Sequence, residues 1–318
     1  MKILITGVHG FVGSNLVNAL KGEHLIYGLD IIAPVTSGVV RTYSWDDLDF
    51  DKIQEVDAII HLAGKAHDTK NKSSADVYFN VNTGLTKKIF DYFSAHKSIK
   101  KFIFFSSVKA AVDKVQGDIL TEEVAPCPVG PYGESKVRAE KYIIDNLENC
   151  DAYASRNVII LRPCMIHGPG NKGNLNLLYG FIRKGLPWPL GAFDNRRSFT
   201  SVDNLTFVIS KILSTEIESG IYNMADDEAL STNELIEVMC SAMMQNAHVL
   251  KINTSFIKFC SRIGDVLHLP LNSFRLDKLT ENYVVSNRKI KKAIGICNMP
   301  VDARSGLSKT IKSFNDKQ

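Results

Sequence analysis

The chain has 318 residues, more than the about 100 to 200 residues of a typical single domain, so we expect two substructures or one large α/β domain. Its 45% hydrophobic and 23% charged residues are typical of a folded globular protein, which excludes the disordered and fibrous classes. The formal net charge is only +4 and long blocks of like charge are absent from the sequence, so we expect neither a nucleic-acid partner nor a polybasic membrane patch.

The first half of the chain alternates short apolar runs with helical patterns. Runs such as Ile3-Leu4-Ile5 are apolar at consecutive positions, which is typical of strands that are covered on both faces. We predict strands at 2–6, 25–30, 58–63, 102–107 and 158–162, and helices at 11–20, 74–96 and 132–149. This alternation predicts an α/β fold built on a doubly wound parallel sheet.

Beyond Pro163 the chain changes to Gly/Pro-rich loops mixed with helices and few strands. We therefore predict a first domain at 1–165 and a second, smaller mixed α/β lobe at 166–318. A helix at 204–214 and a strand at 221–224 are expected to return to the first domain, so that 204–226 belongs to it. The second lobe then consists mainly of 166–203 and 227–318.

The sequence contains no stretch near the about 18 consecutive apolar residues that a membrane span needs, and its first residues lead directly into a strand. We therefore expect a cytoplasmic protein without a membrane partner. The six cysteines are too far apart for a Cys-x-x-Cys pair or a zinc site, so no metal is expected. Reduced thiols are the favoured interpretation, with three disulfides as the alternative.

Glycines follow the first strand in the segment Gly7-Val8-His9-Gly10-Phe11-Val12-Gly13, and a helix follows directly. Glycines at such a position permit a tight turn and a close approach of the backbone to a pyrophosphate, which the free N–H groups of the helix bind. The spacing alone also fits an ordinary strand-turn-helix loop. Together with the flanking strand and helix it predicts a dinucleotide site.

Asp30 closes the second predicted strand about 20 residues further on, where a carboxylate can accept hydrogen bonds from the adenosine ribose. A carboxylate would repel the 2′-phosphate of NADP, and the next residues contain no Arg or Lys. NAD is therefore the predicted cofactor. A solvent-facing Asp at a strand end would leave the choice between NAD and NADP open.

Tyr132 and Lys136 lie four residues apart at the start of a predicted helix, hence on one face. An ammonium beside a phenol lowers the pKa of the phenol, as a tyrosine acting in proton transfer near neutral pH requires. Ser107 ends a strand at the carboxyl edge of the predicted sheet, where its hydroxyl could hold a substrate oxygen. We predict Ser107, Tyr132 and Lys136 as the catalytic residues.

Taken together, these motifs resemble the extended short-chain dehydrogenase/reductases of the nucleotide-sugar epimerase/dehydratase family, nearly from end to end. The matching features are Thr6-Gly7-x-x-Gly10-Phe11-x-Gly13, Asp30, His61-Leu62-Ala63-Gly64, Val81-Asn82-Thr83, Ser106-Ser107, Tyr132-x-x-x-Lys136, Leu161-Arg162-Pro163, His167-Gly168-Pro169-Gly170, Arg196-Arg197-Ser198-Phe199 and Val202-Asp203-Asn204. The resemblance implies a Rossmann domain that binds NAD, a nucleotide-sugar substrate lobe and a homodimer.

The resemblance also implies a set of cofactor contacts. Lys136 would bind the nicotinamide ribose, Asn82 would lie near the cofactor, and Ala63 and Gly64 would line its path. The implied cofactor-binding residues are Gly7, Gly10, Phe11, Val12, Gly13, Asp30, Leu62, Ala63, Gly64, Asn82, Tyr132, Lys136 and Pro163.

Within the family, the segment from Asn171 to Ser198 is most similar to UDP-glucose and UDP-N-acetylglucosamine 4-epimerases and to UDP-4-keto-6-deoxyhexosamine reductases. Arg197 matches the phosphate-binding arginine, with a surface salt bridge as the alternative. Arg275 is a possible second phosphate ligand, and Asn174 resembles a residue near the nucleotide. His67 could reach the sugar or remain a solvated loop residue.

The favoured function is a 4-epimerase of a UDP-hexose or UDP-N-acetylhexosamine, which oxidises C4 of the sugar and reduces it again from the other face. In this reaction Ser107 and Tyr132 would contact the sugar, and Arg197, Arg275 and Asn174 the nucleotide part. The first alternative is a 4-ketoreductase that uses the same residues once per turnover. A dehydratase is less favoured because Val108-Lys109 follows Ser107 where dehydratases have Asp-Glu. A nucleotide sensor would not need the Ser107, Tyr132 and Lys136 set.

Overall fold

The computed structural model describes residues 1–49, 51–65, 74–148, 156–171, 173–267 and 271–315. The strands in chain order are β1 (Lys2–Thr6), β2 (Leu25–Leu29), β3 (Val39–Tyr43), β4 (Ala58–His61), β5 (Lys101–Phe105), β6 (Asn157–Pro163), β7 (Met165–His167), β8 (Phe199–Ser201) and β9 (Gly220–Met224). The helices are α1 (Phe11–Leu20), α2 (Trp45–Asp49), α3 (Ala75–Tyr78), α4 (Leu85–Ala95), α5 (Val108–Ala111), α6 (Pro131–Glu148), α7 (Asn174–Ile182), α8 (Val202–Ser214), α9 (Thr232–Ala242), α10 (Thr254–Leu267), α11 (Ser273–Thr280), α12 (Arg288–Ala293) and α13 (Ala303–Asn315).

Within these ranges the main sheet has seven strands in the order β3-β2-β1-β4-β5-β6-β9, and all neighbouring strands are parallel. The order reverses at β1, from which the chain builds β2 and β3 to one side and β4, β5, β6 and β9 to the other. The predicted doubly wound parallel sheet is confirmed. The carboxyl ends of β1 and β4 meet at this reversal, which is where open α/β sheets bind their ligands.

Both faces of the main sheet are covered, which explains why its strands are apolar at consecutive positions. On β5, Ile103 packs into one core with α1 and α8, whereas Phe102 and Phe104 pack into the opposite core with α4 and α6. Alternate side chains of a strand point to opposite faces, so a strand between two helical layers needs apolar residues throughout. All five residues of β5 are buried.

A further core lies apart from the main sheet and joins α7, α9, α10, α11 and α13. Its buried side chains include Tyr179, Leu235, Ile257, Leu276 and Leu307. The two-stranded sheet of β7 and β8 borders it. We propose this core as the centre of the second lobe.

The structure differs from the sequence prediction mainly at element ends. β4 stops at His61 and β5 at Phe105, so that Gly64 and Ser107 lie in loops at the carboxyl edge. Helix 74–96 is interrupted by a π-helical turn, Phe79–Gly84. The edge strand β3 escaped prediction because the polar residues Arg41 and Thr42 interrupt its apolar pattern, and the central Arg41 is exposed.

Strand β9 pairs with β6 in parallel, with Ile160 opposite Ile221, so the predicted return of the chain to the main sheet is found. In the described part of the chain, no helix combines the length and the apolar character needed to cross a membrane. The described cysteines, Cys127, Cys164, Cys240, Cys260 and Cys297, are free thiols. The described ranges contain no group of three or more His, Cys, Asp or Glu that could hold a metal.

Candidate active site

The glycine loop between β1 and α1 depends on the absence of side chains at two positions. Gly7 has a φ of +68°, a conformation that L side chains rarely adopt. A Cβ on Gly13 would lie 2.4 Å from the Gly7 carbonyl oxygen and 2.5 Å from that of Val8, so any other residue would push α1 away from the loop. The loop is compact at Gly10 as well, whose N–H donates to Gly7 O at 3.0 Å. Phe11 then starts α1, with its N-terminal N–H groups at the mouth of the loop.

Asp30 directly follows β2, at the same edge of the sheet as the glycine loop. Its Oδ2 accepts from the N–H of His9 at 3.1 Å and its Oδ1 accepts from the N–H of Ile31 at 2.7 Å. The carboxylate therefore fixes the glycine loop and remains only partly buried. This arrangement fits a ribose-binding carboxylate, as the sequence predicted.

Leu62 and Ala63 are held beside the glycine loop by a buried chain of hydrogen bonds. The Thr6 hydroxyl accepts from the N–H groups of Leu62 at 3.1 Å and Ala63 at 3.0 Å. His61 lies between the hydroxyls of Thr6 (2.7 Å) and Thr86 (2.9 Å). Burial, and secondarily the charge of Lys136, lowers the pKa of His61 well below its usual range. His61 is therefore a neutral structural residue rather than an acid or base of the site.

Asn82 lies in the π-helical turn and connects three parts of the site. Its side chain accepts from the N–H of Lys65 at 2.7 Å and donates to the hydroxyl of Ser135 at 3.0 Å. A Cβ on Gly64 would lie 3.0 Å from Asn82 Oδ1 and 3.3 Å from Lys136 Nζ. Glycine at position 64 thus lets the chain pass close to Asn82 and Lys136, and π-helical turns often occur at functional sites.

Ser107 and Tyr132 are brought together by the structure, with their hydroxyl groups hydrogen-bonded to each other. Ser107 follows β5 and caps the short helix α5, where its Oγ accepts from the N–H of Lys109 at 3.2 Å. Tyr132 lies in the first turn of α6, and its ring meets that of Tyr78 edge-on at 6.3 Å. The predicted serine-tyrosine pair therefore exists as a contact.

One electrostatic expectation was wrong. We predicted that Lys136 lowers the pKa of Tyr132, but burial raises that pKa above its usual 10.0, and only the hydrogen bond with Ser107 acts in the opposite direction. The reason is that the phenol is desolvated within the cleft and a phenolate there would lose its hydration. In this structure Tyr132 is therefore a neutral hydroxyl.

Lys136 lies one turn beyond Tyr132 on α6 and is almost fully buried. Its Nζ donates to the carbonyl oxygen of Phe105 at 2.7 Å and lies 4.9 Å from the centre of the Phe104 ring. Burial lowers the pKa of Lys136 to about 8, whereas the carboxylate of Glu140 raises it. Lys136 therefore changes between its charged and neutral forms near pH 8.

Glu140 is a residue of this site that the sequence analysis missed. It lies one further turn along α6 and forms a buried ion pair with Arg162, at 2.9 Å (Oε1 to Nε) and 2.6 Å (Oε2 to Nη2). Oε1 also accepts from the hydroxyl of Ser106. The spacing of Tyr132, Lys136 and Glu140 every four residues was the available signal, because it places all three on one helix face.

Pro163 ends β6 and is buried opposite Met224 of β9. The following loop approaches the glycine loop, since the side chain of Asn15 on α1 donates to the carbonyl oxygen of Pro169 at 3.0 Å. Pro163 therefore lies at the same carboxyl edge as Ser107 and the glycine loop.

Arg197 belongs to a charged cluster formed by Lys109, Asp113, Arg197, Lys278 and Glu281. Its guanidinium donates to the carbonyl oxygen of Lys278 at 2.7 Å and lies 3.6 Å from Glu281 Oε1. Lys278 Nζ in turn contacts Asp113 at 3.1 Å, and Lys109 Nζ contacts Asp113 at 3.2 Å. The cluster thus connects the segment that follows Ser107 with the second lobe.

Two features of the cluster separate Arg197 from an ordinary surface residue. Its side chain is only 22% exposed, and burial lowers its pKa. Both carboxylate oxygens of Glu281 are buried without a hydrogen-bond donor among the described residues. We considered a surface salt bridge as the alternative role of Arg197. The ion pair with Glu281 does exist, but it is largely buried and its atoms are 3.6 Å apart. An incoming anion could therefore compete with Glu281 for the guanidinium.

The remaining predicted substrate residues are less defined. Asn174 starts α7 after Gly173, but its side chain lies outside the described residues, as does the whole of His67. Arg275 is exposed on the first turn of α11, about one turn before Lys278. Lys278, rather than Arg275, is the α11 side chain in the charged cluster.

Comparison with known proteins agrees with this geometry. The family described as NAD dependent epimerase/dehydratase matches residues 3–225, more than half of the chain. A UDP-glucose 4-epimerase of Vibrio cholerae is 27% identical over 98% of this chain and 95% of its own length. An N-acetyl-alpha-D-glucosaminyl-diphospho-ditrans,octacis-undecaprenol 4-epimerase of Escherichia coli O157:H7 is 27% identical over 74% of this chain and 70% of its own length.

Among solved structures, MoeE5 in complex with UDP-glucuronic acid and NAD superimposes with a TM-score of 0.77 at 19% identity and covers 100% of both chains. At this identity the likeness speaks for the fold alone. The glycine loop, Asp30 and the loop at Gly64 lie together at the carboxyl edge of the sheet. The chain belongs to the NAD dependent epimerase/dehydratase family of enzymes.

Proposed function

We propose that the protein is an NAD-dependent 4-epimerase of a UDP-hexose or a UDP-N-acetylhexosamine. The observation that carries the proposal is the hydrogen-bonded pair of Ser107 and Tyr132 next to the buried Lys136, at the sheet edge that also holds the glycine loop. The similarity over nearly the full length to a UDP-glucose 4-epimerase supports this choice within the family.

In the proposed reaction each residue acts on one oxygen of the sugar. Ser107 would hold O4 by its hydroxyl. Tyr132, ionised by loss of its own proton to solvent, would accept the O4 proton as C4 is oxidised and return it when C4 is reduced again. Lys136, charged below about pH 8, would bind the nicotinamide ribose, and the hydrogen bond with Ser107 is the contact that favours the tyrosinate. NAD supplies the hydride chemistry at C4 when it is bound.

The cofactor would lie along the glycine loop, with Asp30 at the adenosine ribose and with Leu62, Ala63, Gly64 and Asn82 along its path. Arg197 would bind the substrate diphosphate by exchanging its loose contact with Glu281 for phosphate oxygens. Arg275 and Asn174 would stand near the nucleotide. The sugar-nucleotide lobe of 166–318 and a homodimer are parts of the same proposal.

The proposal is tested by incubating the protein with UDP-glucose and UDP-N-acetylglucosamine and following both the isomer ratio and the nicotinamide absorbance. An epimerase equilibrates the C4 isomers without net change in absorbance. Stoichiometric oxidation of a reduced nicotinamide with a 4-keto sugar, without isomerisation, would instead establish the 4-ketoreductase. Tight nucleotide binding without either reaction would identify a sensor.

We predict that the protein binds NAD in preference to NADP because the Asp30 carboxylate would face the adenosine ribose and forms no ion pair with a Lys or Arg in the described ranges. Titration of cofactor-free protein with each nucleotide measures the preference. Asp30→Asn should reduce it, since the amide keeps an acceptor for the His9 N–H but loses the charge. Asp57→Asn is a matched control, because Asp57 accepts from the Lys2 N–H at the opposite end of β1. Equal or tighter binding of NADP would contradict the assignment.

We predict that Arg197→Ala weakens UDP binding and leaves NAD binding nearly unchanged. The loss of a charge-assisted hydrogen bond to phosphate should cost about 1.5 to 3 kcal/mol of binding free energy. Calorimetry with UDP alone measures the effect. Arg196→Ala is the control, since the adjacent Arg196 is exposed and donates to Ala229 O at 3.1 Å. Unchanged UDP affinity in Arg197→Ala would leave the residue as a partner of Glu281 only.

We predict that Glu140→Gln shifts the alkaline limb of the pH profile of kcat/KM to lower pH. Lys136 loses its proton near pH 8, so activity that needs the ammonium declines as the pH rises through about 8. The Glu140 carboxylate raises the pKa of Lys136, and its removal lowers that pKa further. An unchanged alkaline limb in a folded Glu140→Gln protein would show that Lys136 does not control it.

A further inference from the structure

Helix α10 carries an apolar stripe that does not face the protein. Phe256, Phe259, Ile263, Val266 and Leu267 recur at spacings of three, four, three and one, which places them on one side of the helix. Their side chains are between 40% and 76% exposed. Phe274, in the first turn of α11, is a further exposed aromatic residue, at 66%. Single exposed apolar residues are ordinary, but a contiguous stripe of this kind marks an interaction surface.

Helix α10 cannot rotate to bury the stripe, because its opposite side is already packed against the protein. Ile257, Ser261 and Gly264 are buried, and Ile257 belongs to the core of the second lobe. A Cβ on Gly264 would lie 1.9 Å from the carbonyl oxygen of Leu271, so the helix and the following chain are in direct backbone contact. Asp265 Oδ1 accepts from the N–H of Ser273 at 2.9 Å and ties α10 to α11. The exposed stripe is therefore a fixed outer surface.

A row of cations runs beside the stripe. Lys258 and Arg262 are four residues apart on the third side of α10, both exposed, and neither forms an ion pair within the described residues. The surrounding segment 251–280 has five Lys or Arg and two Asp, a net charge of +3, compared with +4 for the entire chain. Of these cations, Lys258 and Arg262 lie on α10 itself, whereas Lys278 is paired with Asp113 and Glu281 in the charged cluster.

We propose that α10 docks the protein on an anionic lipid surface, with its axis in the plane of the membrane and the stripe Phe256, Phe259, Ile263, Val266 and Leu267 in the headgroup region. Helices that lie in the membrane interface combine an aromatic and aliphatic face with Lys and Arg beside it, and neither feature alone gives stable binding. At 14 residues α10 is too short to span a bilayer.

The charge pattern favours a membrane over a second copy of the chain as the occupant. If α10 paired antiparallel with the α10 of another copy, the row of Lys258 and Arg262 would face the same row of its partner, and like charges would oppose each other. A layer of anionic headgroups would instead attract the positive charges of Lys258 and Arg262. This goes beyond the expectation from the sequence, which considered membrane spans and continuous basic runs but not a helix lying on the surface.

Docking would also orient the candidate active site. Asp265 ties α10 to α11, and α11 carries Lys278, whose carbonyl oxygen accepts from Arg197. The docked helix and Arg197 would therefore be connected through α11. This inference does not depend on the identity of the sugar.

The test is co-sedimentation of the full chain with vesicles of phosphatidylglycerol and phosphatidylcholine, compared with phosphatidylcholine alone. We expect binding to the anionic vesicles that falls at least about tenfold in Phe256→Ser/Phe259→Ser and in Lys258→Glu/Arg262→Glu. The matched controls, Val40→Ser/Met244→Ser and Lys97→Glu/Lys312→Glu, change exposed residues elsewhere and should bind like the parent. Solution activity should be unchanged in all four, since none of these residues lies in the candidate active site.

Three results would overturn the docking proposal. The first is a parent protein that does not sediment with anionic vesicles, and the second is α10 variants that bind as well as the parent does. In the third, Phe256→Ser/Phe259→Ser would abolish a self-association seen by analytical ultracentrifugation while the parent ignores vesicles, which would make the stripe a contact between copies. A failure of any kind leaves the proposed epimerase activity untouched, because that activity is measured without lipid.

Discussion

Tyr132→Phe is expected to reduce turnover by about 10²-fold to 10⁴-fold, the range of rate enhancement that a positioned proton-transfer group provides. The variant removes a single oxygen. Its ring can still pack edge-on against Tyr78, and the glycine loop and Asp30 are untouched, so folding and NAD binding should survive. What is lost is the hydroxyl that is hydrogen-bonded to Ser107 and that would exchange the O4 proton.

Steady-state rates on UDP-glucose and UDP-N-acetylglucosamine measure this loss, with thermal melting and an NAD titration to establish that the variant is folded. Tyr142→Phe is a suitable control, because Tyr142 lies on the same helix and its hydroxyl donates to Asp91 at the surface. The proposed mechanism fails if a folded, NAD-binding Tyr132→Phe protein turns over at nearly the parent rate.

Features with a local sequence signal were predicted well. The apolar runs of the strands, the glycine loop and the Tyr132-x-x-x-Lys136 spacing all lie within a few residues, and backbone geometry translates them directly into structure. The meeting of Ser107 with Tyr132 was predictable because Ser107 follows a strand at the carboxyl edge of the sheet, and the helix that leads to the next parallel strand begins at the same edge.

Features that depend on distant residues were not predicted. Arg162 and Glu140 are 22 residues apart in the sequence. The residues around each of them give no sign that the Arg162 guanidinium on β6 contacts α6. Glu281 is 84 positions from Arg197, so the ion pair inside the cleft had no sequence signature. The sign of the pKa shift of Tyr132 was wrong for a related reason: burial depends on the whole assembled cleft, whereas the helical spacing shows only the nearest charge.

Glu140→Ala is expected to destabilise the protein by about 3 to 5 kcal/mol, the usual cost of breaking a buried ion pair by removing one partner. Arg162 is 1% exposed and keeps its charge in this variant, while its Nε and Nη2 atoms lose both carboxylate oxygens and its Nη1 already lacks a partner among the described residues. The hydroxyl of Ser106, next to Ser107, would lose its acceptor as well. Urea denaturation measures the free energy of unfolding.

Two comparisons distinguish an unpaired buried charge from a simple cavity at position 140. Glu237→Ala removes an exposed glutamate from α9 and should change the free energy of unfolding by less than about 0.5 kcal/mol. In Glu140→Ala/Arg162→Met the unpaired guanidinium is gone, so the double variant should be more stable than Glu140→Ala although it has lost more contacts. If the double variant is less stable than the single one, the cost at position 140 comes from lost packing. In that case the ion pair between Glu140 and Arg162 would not be the main interaction that joins α6 to β6 near Ser107 and Lys136.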